Sequence, residues 1–139
     1  MIIDFTTIGQ GESSTYKSVC KMVIVNSEQW SDFWIIHDVT NFISDVDKAK
    51  AKDCIPEIDF DYYSVIAVVA GEKPSTHYIT EILSVETSRF QPKDRPLIFI
   101  TFQCKIPRSV GVVGHAVTCP YHIIKIPKLD TEKVIFKEV

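Results

Sequence analysis

The feature that most constrains this chain is a continuous apolar run from Val65 to Ala70, near the middle of the sequence. A strand with one solvent-exposed face alternates apolar and polar residues, whereas a run without alternation is typical of a strand covered on both faces. The run is too short for a typical globular helix, and most of its residues are β-branched. It therefore predicts a central, fully buried β-strand.

A polar loop follows this strand. Gly71 and Pro74 stop the extended pattern, because glycine permits unusual backbone angles and proline lacks an N–H donor. Tyr78 restarts an extended pattern, so the loop is predicted to join the buried strand to a partner strand that is also central. Short loops on such a scaffold often carry recognition, although an ordinary hairpin connection remains the alternative. The candidate partner-binding residues are Lys73, Pro74, Ser75, Thr76, His77 and Tyr78.

A helical pattern precedes the apolar run. Asn26 can cap a helix, and Gln29 three residues later completes a pair that is typical of a capping box. Apolar and aromatic residues then recur at the spacing of one helical face. This predicts a helix at about 27–37 whose two tryptophans pack on a sheet as core residues. The residues on this face are Trp30, Phe33, Trp34 and His37.

The remaining patterns are mostly those of strands. In residues 78–87, Ile79, Leu83 and Val85 alternate with polar residues, which predicts that they share one face. No alternation of strands with helices is visible, so we expect an α+β, β-rich fold with mainly antiparallel sheets of six or seven strands and one helix packed on the sheet. The 139 residues are expected to form a single domain. Further strands are predicted at 1–8, 19–25, 97–104, 116–126 and 131–139, with a short helix at 44–52 and a glycine-containing link at 107–114.

Composition argues against several functional classes. The net charge of −3 gives no basic excess of the kind that nucleic-acid binding requires. No apolar stretch approaches the roughly 20 residues that span a bilayer, and no signal peptide is visible, so the sequence by itself predicts a cytoplasmic protein. The cysteines form no C-x-x-C pair and are predicted to be buried free thiols. They are Cys20, Cys54, Cys104 and Cys119.

One cluster has the chemistry of metal ligands: His115, Cys119 and His122, in the spacing H-x3-C-x2-H. Zinc accepts Cys and His, and a catalytic site needs only three protein ligands. In a regular strand, however, residue 122 points away from residues 115 and 119, so we expect no bound metal and no cofactor. A small hydrolase or metal-dependent enzyme that uses these residues remains the alternative function, because Pro120 could break the strand's alternation.

The acidic pair Asp59 and Asp61 is a second candidate for catalysis. Paired carboxylates can perform acid–base chemistry, but these two flank Phe60 at the predicted entry to the buried strand. Solvated aspartates are common at such positions. We therefore predict a structural role for the pair and no catalytic residue.

Several of these segments, taken in order, resemble the PrcB C-terminal family, the protease complex subunit type. The family shows an apolar strand after a D-F pair, a loop like G-x-x-P-[ST]-x-G-Y, and a P-[YF]-H-x-x-x-x-P segment near its end. The corresponding segments here are IDF at 58–60, the apolar strand, GEKPSTHY at 71–78 and CPYHIIKIP at 119–127. The resemblance covers about residues 55–127.

This resemblance implies a non-enzymatic accessory domain that binds or stabilises a protein partner, with a protease as the implied partner. Family members are often exported or lipid-anchored, so the compartment stays open here. The family loop commonly has Gly before its Tyr, whereas this chain has His77. Because a non-Gly residue resists positive φ, we expect the loop to bend differently at this point.

Overall fold

A computed structural model describes residues 2–38, 55–88, 97–106, 114, 116–129 and 133–139. It confirms a β-rich α+β fold with one helix and mainly antiparallel sheets within these ranges. The predicted short helix at 44–52, Cys54 and residues 107–113 of the glycine-containing link lie outside the described residues. The elements are β1 (Thr6–Gly11), β2 (Cys20–Ile24), α1 (Ser27–Asp38), β3 (Tyr63–Val69), β4 (Ile79–Ser88), β5 (Leu97–Lys105), β6 (Tyr121–Pro127) and β7 (Val134–Glu138).

The strands form two sheets. The first has the order β1-β6-β3-β2, and all its neighbours are antiparallel. The second has the order β4-β5-β7, in which β4 and β5 are antiparallel but β5 and β7 are parallel. The last strand was predicted from the sequence, and it lies at the edge of this sheet. No described helix has the length and apolar character needed to cross a membrane.

β3 is the buried centre of the molecule, which confirms the prediction from its apolar run. Val65–Val69 are each at most 1% exposed. Ile66 and Val68 pack in a core with side chains of the second sheet, including Ile82 and Ile100. The intervening residues of β3 face the opposite way, into a second core with side chains of α1. The molecule therefore has three layers, with the helix, the first sheet and the second sheet stacked in that order.

The helix begins as its sequence predicts. The side chain of Asn26 accepts a hydrogen bond from the N–H of Gln29 at 2.8 Å, and the side chain of Gln29 accepts one from the N–H of Val25 at 3.0 Å. Trp30 is buried and donates its indole N–H to the carbonyl of Pro56 at 2.8 Å, whereas Trp34 is only half-buried. Trp30 is thus buried while its indole N–H keeps a hydrogen-bond partner.

The first strand differs from its prediction. The predicted strand ends at residue 8, whereas β1 extends through Gly11 and its last residues pair with β6. Tyr121 of β6 explains this difference, because its ring lies directly over two glycines of β1. A Cβ atom would lie 3.5 Å from this ring at Gly9 and 3.3 Å from its hydroxyl at Gly11. The glycines therefore make room for an aromatic side chain within the sheet.

The prediction that Ile79, Leu83 and Val85 share one face of β4 is also wrong. Ile79 and Leu83 are each 41% exposed, whereas Thr80, Ile82 and Val85 are buried. The register with β5 shifts between Ile82 and Ser84, and such a bulge reverses the faces on which later side chains lie. The apolar pattern of this segment therefore misidentified its buried side.

The described cysteines are free but not fully buried. Cys20, Cys104 and Cys119 have intermediate exposure, and no disulfide joins any of these three. The predicted free state is therefore confirmed for these residues. The predicted full burial is wrong, because each lies near the end of a strand or in a connection, where the layers cover it only in part.

Candidate functional site

The 71–78 loop, defined as residues 71–78, crosses from the first sheet to the second. It leaves β3 and enters β4, which do not pair with each other. β4 lies at the edge of the second sheet, so the prediction of two central partner strands is correct for β3 and wrong for β4. The loop is consequently a connection between layers at one end of the molecule.

The segment before β6 holds the first half of this loop. Lys73 and Thr118 exchange two backbone hydrogen bonds, with the N–H of Lys73 donating at 2.7 Å and that of Thr118 at 2.9 Å. The hydroxyl of Thr118 also donates to the carbonyl of Ser75 at 2.9 Å. One buried threonine therefore donates two hydrogen bonds and accepts one, and together they fix the position of residues 73–75.

Gly114 holds the second half of the loop. Its N–H donates to the Thr76 hydroxyl at 2.7 Å, and the N–H of Thr76 donates to its carbonyl at 3.1 Å. A Cβ atom at Gly114 would lie 3.2 Å from the methyl carbon of Thr76, so the two residues approach closely. This reciprocal pair limits the movement of residue 76.

His77 has a φ of +71°, so the prediction that a non-Gly residue would avoid this conformation here is wrong. Its N–H donates to Glu12 Oε1 at 2.6 Å, and its Nδ1 lies 2.8 Å from the Thr76 hydroxyl. A charge-assisted hydrogen bond of this length offsets part of the roughly 1–2 kcal/mol that the left-handed conformation costs. The side chain of Glu12 thus supports a bend that glycine would adopt freely.

The surface that the loop presents is mixed in polarity. Pro74 and His77 are exposed, and the remaining candidate residues from Lys73 to Tyr78 are half-buried. The ammonium of Lys73 lies 5.8 Å from the centre of the Tyr78 ring, within the range of a cation–π contact. The loop therefore combines a cation, an aromatic ring, a rigid proline and an imidazole on one small surface.

Sequence reasoning missed three residues that shape this loop: Glu12, Gly114 and Thr118. Glu12 lies 65 residues from His77 in the chain, and no local pattern links the two. Its own segment is tied to the base of the site, because the N–H of Cys119 donates to the Glu12 carbonyl at 2.8 Å. These contacts join distant parts of the chain, so a local sequence pattern does not reveal them.

The candidate metal cluster lies only in part within the described residues. His115 lies outside those residues, and the described part of the chain contains no group of three possible metal-binding side chains. His122 is 3% exposed, and its Nδ1 accepts the N–H of Ile82 at 2.8 Å. Since a backbone N–H can only donate, the ring proton is on Nε2 and is donated to the Thr7 hydroxyl at 2.8 Å. Both ring nitrogens of His122 are therefore occupied.

The pKa shifts of Cys119 and His122 do not activate either side chain for catalysis. Burial lowers the pKa of His122, which favours the neutral ring. Burial raises the pKa of the Cys119 thiol, the charge of Glu72 raises it further, and Lys17 opposes this. A thiol with a raised pKa is a weak nucleophile at neutral pH. None of these observations favours the enzyme alternative.

The acidic pair before β3 forms a turn. Asp59 Oδ1 accepts the N–H of Asp61 at 3.0 Å, and its carbonyl accepts the N–H groups of Tyr62 and Tyr63. Both carboxylates are exposed. This arrangement is an Asx turn that starts the central strand, so the pair has a structural explanation.

Comparison with protein families identifies a match. Residues 64–127 match the family model described as PrcB C-terminal. The match runs from the second residue of β3 to the last residue of β6 and so includes the whole 71–78 loop. It confirms the resemblance that the sequence motifs indicate. No curated protein and no solved structure matches the chain significantly.

Proposed function

We propose, on the premise that residues 64–127 belong to the PrcB C-terminal family, that this chain is a non-enzymatic accessory domain. Its function is to bind a protein partner through the 71–78 loop. A protease is the partner class that the family resemblance suggests. The contact residues are Lys73, Pro74, Ser75, Thr76, His77 and Tyr78.

The observation that carries this proposal is the backbone of His77. An exposed non-Gly residue with a φ of +71° has a less favourable conformation than glycine would have at the same position. Such residues persist where their surroundings fix them, and they cluster at ligand-binding sites. The imidazole is exposed, and its contact with the Thr76 hydroxyl lies within the loop, so its outward surface is available to a partner.

The rigidity of the loop gives further support. Hydrogen bonds from Glu12, Gly114 and Thr118 restrain residues 73–77 on several sides. The ring of Pro74 fixes one more backbone angle. A preformed loop loses little conformational entropy on binding, so more of the contact energy appears as affinity.

The proposal is tested by parallel pull-downs from the native organism, followed by mass spectrometry. One uses the natural chain, and the other uses a variant with Pro74→Gly, Thr76→Gly and His77→Ser. A partner that the natural chain retains is then produced separately, and its affinity for each form is measured by calorimetry. We expect the variant to bind at least tenfold more weakly, which corresponds to about 1.4 kcal/mol.

Two further variants sharpen this test. His77→Gly keeps the positive φ accessible and removes the imidazole, so it should weaken binding without weakening the fold. Tyr62→Ser alters a side chain that is 69% exposed at the opposite end of β3, and it should leave affinity unchanged. Unchanged affinity in a folded loop variant, or a loss caused by Tyr62→Ser, would place the binding surface elsewhere.

A further inference from the structure

A second surface lies along β2. This strand is the last in the first sheet, and within the described residues its outer edge pairs with no strand. Backbone N–H and C=O groups on such an edge are a template for pairing with another extended chain. Val25, directly after the strand, is also exposed.

A groove runs between this edge and α1, with a volume of about 300 Å³. We call it the β2 groove, and its lining is mainly apolar. Ile36 on the helix side is 51% exposed, and Asp32 is the charged residue among those that line the groove. A groove between an edge strand and a helix offers hydrogen bonds on one wall and apolar contacts on the other. The main lining residues are Tyr16, Met22, Ile24, Asp32, Phe33 and Ile36.

We propose that the β2 edge binds an extended segment of a partner protein, which adds to the first sheet as a fifth strand. The segment's backbone pairs with β2, and alternate side chains enter the β2 groove. This proposal is independent of the 71–78 loop, because none of the groove residues belongs to that loop.

Charge complementarity defines the segment. Side chains of a strand alternate between its two faces, so those on the helix side would meet the accessible groove residues Met22 and Asp32. Those on the other side would meet Lys21, an exposed residue whose ammonium lies 5.7 Å from the centre of the Phe102 ring. On the helix side, the matching segment therefore carries apolar residues and one basic residue. On the other side, it carries acidic residues.

The same charges disfavour a second copy of this chain as the occupant. If two β2 strands paired antiparallel about a two-fold axis through Met22, the two Lys21 side chains would be diagonal neighbours, about 8 Å apart. The two Asp32 side chains would face the same side of the extended sheet. The two lysines would therefore repel each other and the two aspartates would add negative charge to one face, whereas a partner segment with the opposite pattern avoids this repulsion.

A display library of random octapeptides tests the proposal on the intact chain. We expect the selected peptides to share the alternating pattern of apolar and basic residues on one face and acidic residues on the other. Hydrogen–deuterium exchange with a selected synthetic peptide should show new protection at alternate amides of residues 20–24. The same peptide with methylated backbone nitrogens should bind at least tenfold more weakly, because it cannot donate to the edge.

Matched variants test the assignment of charges. Asp32→Lys should lower the affinity for the selected peptide at least tenfold. A peptide whose basic residue is replaced by glutamate should recover affinity for this variant. Ile36→Glu should also weaken binding. Ile135→Glu serves as its control, because Ile135 is 45% exposed on β7, in the other sheet. Circular dichroism confirms that each variant is folded.

Several results would overturn the proposal. The library could yield no binding peptide, or the selected peptides could lack the alternating pattern. Backbone methylation could leave the affinity of the peptide unchanged, or the peptide could protect amides outside residues 20–24 from exchange. Protection of every amide of β2 in the free chain would show that the edge is already covered. Sedimentation that reveals a dimer protected at β2 would identify a second copy as the occupant.

Discussion

His122 contributes to the fold as a neutral residue that connects the two sheets. Its ring lies in β6 of the first sheet, yet its Nδ1 accepts the N–H of Ile82 in β4 of the second sheet. Its Nε2 donates to Thr7 of β1. Protonation of Nδ1 would replace an acceptor with a donor and break the bond to Ile82, so the contact requires the neutral ring.

A pH dependence of stability follows from this contact. Burial lowers the pKa of His122 below its usual value of 6.5, so below about pH 6.5 the unfolded chain binds a proton that the folded chain does not. The free energy of unfolding should therefore be level above this pH and decrease as the pH falls below it. The slope from this residue is at most about 1.4 kcal/mol per pH unit. Denaturant unfolding between pH 5.5 and 7.5 measures it.

His122→Asn is the matched control, because its amide oxygen can accept the Ile82 N–H but does not titrate. The difference in slope between the two proteins isolates His122 from the other histidines. An NMR titration of the His122 ring provides a direct check. Equal slopes in both proteins, or a ring that titrates at or above 6.5, would contradict the assigned role.

Among the elements, α1 covers one face of the first sheet, and its two tryptophans make unequal contributions. Trp30 is 3% exposed and bonded to Pro56, so Trp30→Ala should lower the free energy of unfolding by roughly 3–5 kcal/mol. Trp34 is half-buried, and its indole N–H has no partner within the described residues. Trp34→Ala should therefore have a smaller effect, although one above about 1 kcal/mol because part of the ring is packed.

Urea unfolding of both variants measures this order. Ile36→Ala on the same helix is the control, and its effect should stay within about 1 kcal/mol because the side chain is largely exposed. A loss below about 1 kcal/mol for Trp34→Ala would mean that Trp34 is not a core residue. A larger loss for Trp34→Ala than for Trp30→Ala would reverse the assignment.

The elements that the sequence predicts well are those with a local physical cause. The apolar run of β3 and the helical spacing of α1 each reflect burial by whatever packs against them, so both were identified without knowledge of the neighbours. The pairing of strands is different, because it depends on contacts between distant parts of the chain. β3 pairs with β6 and β2, whereas the next strand, β4, lies in another sheet.

The 71–78 loop was also predictable only where its sequence has a local physical cause. Pro74 and the residues around it mark a loop by their local chemistry. The support for His77 comes from Glu12 and the support for Thr76 from Gly114, and both contacts join residues that are far apart in the chain. The bulge after Ile82 likewise has no local signal, and it changed which side chains of β4 are buried.

At the scale of the whole molecule, the elements that lie outside residues 64–127 complete the core of the protein. The matched region contains β3, β4, β5 and β6, whereas β1, β2 and α1 come before it and β7 comes after it. In the first sheet, β1 and β2 flank the β6–β3 pair on either side. The N-terminal segment also reaches the second sheet, where the N–H of Ile3 donates to the carbonyl of Val85 at 2.8 Å.

We therefore propose that residues 1–139 fold as one cooperative domain and that the matched region is not stable alone. A fragment of residues 64–127 would expose the face of β3 that packs against Trp30 and Phe33, including Val65 and Val69. It would also leave β3 and β6 as open edges, which promote aggregation. We expect this fragment to lack a cooperative unfolding transition.

The full chain should show one transition, with the same midpoint by far-ultraviolet circular dichroism and by tryptophan fluorescence. These two probes report different layers, because the strands dominate the first and both tryptophans lie in α1. Coincident midpoints are the expected result for a single cooperative unit. Two separate transitions of the full chain would contradict this proposal. A soluble fragment with dispersed amide resonances and cooperative unfolding would also contradict it. Either result would mean that the matched region is an independent domain to which the helix and edge strands are only attached.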